Sequence, residues 1–116
     1  MIESNLKYAP IVVFAFNRLN SLKATIESLL ENEEASLSDL FVFVDGPRKM
    51  VDGETEKVEQ VRRYVESITG FHSLHYKFSE QNKGLANSVI SGTTELFESF
   101  DRLIVVEDDL FVSHSF

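Results

Sequence analysis

The stretch Ile11-Val12-Val13-Phe14-Ala15-Phe16 decides the fold class. Six consecutive apolar residues, rich in β-branched and aromatic side chains, leave no polar face. That is the pattern of a strand covered on both sides, as in parallel sheets. Outward from it, Leu40-Phe41-Val42-Phe43-Val44 and Leu103-Ile104-Val105-Val106 read as two further buried strands. Leu74, Tyr76 and Phe78 alternate with His75 and Lys77, which predicts a strand with one exposed face at an edge of the sheet.

The segments between these runs carry helical spacing. Ser21 is placed to cap a helix in which Leu22, Ile26, Leu29 and Leu30 share a face. Asp52 precedes a second, with Val58, Val61, Val65 and Ile68 inward and Gly70 at its end. A third runs from about Gly84 to Phe100 and turns Leu85, Val89, Leu96, Phe97 and Phe100 to the core. The order is therefore β-α-β-α-β-α-β. Strands joined by helical crossovers pair in parallel, and the crossovers are right-handed. The expectation is a Rossmann-like, three-layer α/β/α domain spanning residues 1–116, with no linker or repeat inside it.

Charge and composition narrow the partners. Eleven basic and nineteen acidic residues give 11 − 19 = −8, which argues against a phosphate-gripping nucleic-acid surface. The absence of Cys excludes disulfides, thiolate metal sites and a Cys nucleophile. The longest apolar run, Ala9 to Phe16, is far below the ~20 residues of a membrane helix, and Glu3 spoils a signal-peptide reading. A cytoplasmic location and no membrane span in this chain are expected.

In parallel sheets ligands bind beyond the carboxyl ends of the strands, where strand order reverses. Four segments reach that edge: Asn17-Arg18, Asp45-Gly46, Glu80 to Gly84, and Glu107-Asp108-Asp109. Three adjacent carboxylates repel one another, a cost that Mg²⁺ or Mn²⁺ removes by taking hard oxygen ligands. The same run also reads as a solvated acidic turn. Asp45 is able to accept from a ribose hydroxyl or an imide N–H, or to cap its own turn before Gly46-Pro47. Arg18 suits a diphosphate or a base, or a surface ion pair. Asn82-Lys83-Gly84 opens a helix whose free N–H groups favour an anion, or is simply a loop. Most remaining acids, Glu54 among them, fall on or beside predicted helices, where water is expected to solvate them. No G-x-x-x-x-G-K-[ST] and no G-x-G-x-x-G is present, and His72, His75 and His114 lack metal-site spacing.

Taken in order, Pro10 to Arg18, Phe43 to Pro47, Asn82 to Ala86 and Val105 to Leu110 resemble the nucleotide-binding half of GT-A-fold glycosyltransferases. The likeness is to bacterial family 2-like enzymes and to the Golgi N-acetylglucosaminyltransferases. It implies strand order 3-2-1-4 and a nucleotide-sugar donor, a UDP-sugar by preference, with transfer to an acceptor sugar or glycoconjugate hydroxyl. It also implies Mn²⁺ or Mg²⁺ on Asp109, with Asp108 and Glu107 near the metal, its waters and the ribose. Asp45 would read uracil, and Phe16, Asn17, Arg18, Asn82 and Lys83 would complete the nucleotide-sugar site. The resembled enzymes continue into an acceptor-binding half that carries the base in inverting members. The base is thus expected beyond Phe116, and the 116-residue chain is expected to bind donor without transferring it. Three rivals differ in kind. A nucleotidyltransferase would want a Gly-rich loop after the first strand, where Phe16 to Asn20 has none. A receiver-like Mg²⁺-binding domain would carry its acids after the first strand. A plain interaction module would bind neither metal nor nucleotide.

Overall fold

The computed structural model describes residues 9–107, so Asp108 and Asp109 lie outside the described residues. The elements are β1 (Ile11–Ala15), α1 (Leu19–Leu30), a 3₁₀ turn (Glu33–Leu37), β2 (Asp39–Val44), α2 (Glu54–Glu66), β3 (Ser73–Phe78), α3 (Leu85–Phe97) and β4 (Ile104–Glu107). The sheet is parallel throughout, in the order β3-β2-β1-β4 expected from the resemblance.

β1 is central and buried along its whole length, as its unbroken apolar run requires. Its alternation splits the core in two. Ile11, Val13 and Ala15 pack with Leu22 and Ile26 of α1 and with Val58, Val61 and Val65 of α2. Val12 and Phe14 face the other way, against Val89 and Leu96 of α3, with Phe41 and Phe43 beside them. The split follows from handedness. The chain steps from β1 to β2 to β3 in one direction and then jumps back past β1 to β4. Right-handed crossovers put α1 and α2 on one face and α3 on the other.

Several local expectations are corrected. Arg18, not Ser21, stands at the N-cap of α1, which begins at Leu19, so Ser21 lies inside the helix. Gly53 in the left-handed region, not Asp52, stands at the N-cap of α2, and that helix closes at Glu66, short of Gly70. β4 is not a buried strand: Ile104 and Val105 are exposed and only Val106 reaches the core. The reason is position: among the described residues β4 is an edge strand with β1 on one side alone. Leu85 and Phe97 of α3 are exposed rather than inward, as is Tyr76 of the other edge strand, β3. The 3₁₀ turn, unrecognised in the sequence pattern, is opened by the Asn32 side chain, which accepts from the Glu34 amide at 2.9 Å. No helix among the described residues is long and apolar enough to cross a membrane.

α3 approaches the sheet closely at Gly92. A Cβ there would sit 2.9 Å from Phe14 and 3.2 Å from Phe43, two rings already stacked at 5.3 Å. Phe14 is buried and hemmed in, so it has nowhere to turn. Gly92→Val is expected to overpack this face and to cost about 1–3 kcal/mol, read as a lower urea midpoint at an unchanged slope.

Candidate functional site

The strand ends are aligned by register: Ala15 lies opposite Val44, Val44 opposite Phe78, and Phe14 opposite Glu107. The carboxyl ends of the four strands therefore lie side by side. Between them lies a cleft of about 320 Å³, walled by the end of β1 (Phe14 to Arg18), by Asp45 and Arg48 after β2, and by Asn82, Gly84, Leu85 and Ser88 at the start of α3.

Asp45 is buried at the turn after β2, and its two oxygens are shared among four donors. Oδ1 accepts from the amides of Gly46 and Lys83, each at 2.8 Å. Oδ2 accepts from the Gly84 amide at 2.9 Å and from Asn82 Nδ2 at 3.2 Å. A carboxylate offers about four lone-pair sites, so this one is filled. Asn82 also donates to the Gly46 carbonyl at 2.9 Å. Both readings of Asp45 had it facing a turn or a ligand; the structure has it clasping a loop nearly forty residues away. Gly46 makes that clasp possible, because any Cβ would lie 2.7 Å from the backbone of Ser79 and Gln81.

A second carboxylate repeats the arrangement and escaped the sequence reading. Glu54, at the first turn of α2, is only 2% exposed rather than solvated. Oε1 accepts from the Arg48 amide at 2.8 Å and from Arg48 Nε at 2.9 Å. Oε2 accepts from the second prong of that guanidinium at 2.7 Å and from Asn17 Nδ2 at 3.0 Å. The Arg48 side chain itself is 55% exposed, with its guanidinium 5.8 Å from the centre of the Phe16 ring. The Arg48 fork outweighs burial and holds the Glu54 carboxyl down at about 2. The only sequence signal was an Arg six residues ahead of a helix-opening Glu, which no periodicity marks.

Of the expected site residues, the cleft gathers Phe16, Asn17, Arg18, Asp45 and Asn82. Lys83 lines a separate 80 Å³ pocket with Ser79 and Glu95 and gives its backbone amide to the Asp45 clasp. Glu107 is joined to the site through its backbone, as the β4 partner of Phe14, which lines the cleft. Asp108 and Asp109 fall outside the described residues. Arg48, Glu54 and Ser88 are additions. The Ser88 hydroxyl is buried and, among the described residues, has no hydrogen-bond partner. No group of three or more His, Asp or Glu side chains suited to a metal occurs among the described residues. The chain matches no protein-family model, no curated protein and no solved structure.

The Glu54 carboxyl fixes a pH window. An unfolded Glu takes up its proton near ~4.3, whereas the folded one does so only at about 2. The ion pair thus contributes fully above that unfolded value and is lost as pH falls toward 2. The stability gap between the native chain and Glu54→Gln, followed as urea midpoints, is expected to be constant above pH 5 and to narrow steadily below pH 4.

Proposed function

We propose that this chain is the donor-binding region of a metal-dependent glycosyltransferase of the GT-A type, taking a nucleotide-diphosphate sugar, by preference a UDP-sugar. The observation that carries the reading is the location of the cleft. It lies at the carboxyl ends of β1 and β2, beside the reversal of strand order between β1 and β4, where open parallel sheets hold nucleotides. Its volume and mixed lining, apolar Phe14 and Phe16 with a few polar groups, suit a small organic ligand.

The residues also suit a divalent ion by their chemistry. Glu107-Asp108-Asp109 continues directly from β4 and offers only hard oxygen donors, the set that Mg²⁺ and Mn²⁺ prefer. When bound, such an ion would supply neutralisation of the diphosphate and of the departing nucleoside diphosphate. The chain's own residues do the holding. Arg18 and Arg48 bring positive charge to an otherwise acidic protein, Asn17 and Asn82 are fixed by buried carboxylates, and Phe16 offers an aromatic face. Asp45 serves this site by fixing the loop that leads into α3; reading a uracil imide as well would require it to release one of its four donors. No described residue is assigned as the base that deprotonates an acceptor, so transfer is expected to need more than these residues.

Calorimetric titration of the 116-residue chain with UDP tests the reading. UDP is expected to bind weakly without metal and at least about tenfold more tightly with Mn²⁺, with Asp109→Ala abolishing the gain. Equal affinity with and without Mn²⁺ would remove the metal from the proposal. No UDP binding under either condition would sink the nucleotide reading, and beryllofluoride binding in its place would favour a receiver-like domain.

A further inference from the structure

Two described carboxylates, Asp45 in the cleft wall and Glu54 behind Arg48, are saturated: Asp45 by Gly46, Asn82, Lys83 and Gly84, and Glu54 by Arg48 and Asn17. Neither has a lone pair left for a ligand donor or a metal. These two acids therefore do not make the cleft an acceptor site. They turn the donors of two loops and one arginine into fixed features of its wall.

Arg48 has donors left to give. Its fork spends the Nε hydrogen and one hydrogen of a terminal nitrogen on Glu54, and a guanidinium has five. Three remain on a side chain that is more than half exposed, belongs to the cleft lining and carries its guanidinium near the Phe16 ring. The rigid pairing with a buried partner removes much of the rotamer entropy an arginine otherwise loses on binding. Ser88 is among the residues lining the same cleft, and its hydroxyl is buried with no hydrogen-bond partner among the described residues.

We propose that Arg48 is an anion-binding residue of the cleft, contacting an oxygen of a phosphate-class ligand, and that Glu54 is its positioning residue. The site needs neither metal nor nucleoside, so it stands or falls apart from the glycosyltransferase reading. Inorganic pyrophosphate, in metal-free buffer with chelator, is the probe. The Arg48 side-chain N–H resonances of the native chain are expected to shift saturably with pyrophosphate. Arg48→Gln is expected to weaken binding about tenfold or more. That variant strands a buried carboxylate, so the double variant Arg48→Gln/Glu54→Gln, checked by circular dichroism, serves beside it. Glu54→Gln alone keeps the cation but loosens it, and is expected to weaken binding less than loss of Arg48. Lys57→Gln, an exposed charge on α2, reports the general electrostatic background and is expected to leave binding unchanged. Unmoved Arg48 resonances overturn the proposal whatever the variants do. So does a folded double variant that binds pyrophosphate as well as the native chain.

Discussion

The burial of β1 on both faces is the constraint from which the architecture follows. A five-residue strand with no polar side requires cover above and below, and one layer of helices cannot give it. The chain meets the demand by reversing direction after β3, which sends α3 to the face that α1 and α2 leave open. The same reversal puts the strand-order switch beside β1, and the cleft lies at the carboxyl end of that strand, where open parallel sheets hold ligands. Core and site are thus two results of one requirement.

The cleft is then shaped by charge placed where water does not reach. Asp45 and Glu54 stand at the two ends of the connection from β2 to α2, and each carboxylate ends with four hydrogen bonds. A buried carboxylate is tolerated only when its lone pairs are filled, so each forces the surrounding donors into one geometry. Asp45 recruits backbone amides and Asn82; Glu54 recruits a guanidinium and Asn17. The first clasp aligns the entry to α3, and the second anchors the exposed arginine.

The parallel sheet and the two-sided core could be read from the chain because they depend on hydrophobic period and crossover handedness, both of which are properties of segments; strand order came only with the resemblance. What could not be read depends on distant pairs. Glu54 looks like any acid in a first helical turn until Arg48 folds back onto it across a loop. Asp45 before Gly46-Pro47 looks like a turn residue, and half of that expectation stands, since it does bond the Gly46 amide. Its other partners sit 37 to 39 positions away. β4 shows the opposite failure: its apolar run promised burial, but edge position is decided by sheet order, and Ile104 and Val105 face outward.

The Asp45 clasp also changes what kind of loop joins β3 to α3. Surface connections usually open on their own, with free energies near zero, and their amides exchange freely with solvent. Here the Lys83 and Gly84 amides close on a carboxylate rooted at the end of a core strand. Letting the loop lift would strip that carboxylate of three of its four partners while it remained enclosed by protein. The loop is therefore coupled to the sheet's own unfolding. Opening it costs more than opening an ordinary surface connection, so the α3 wall of the cleft is held by the sheet and not by the loop alone.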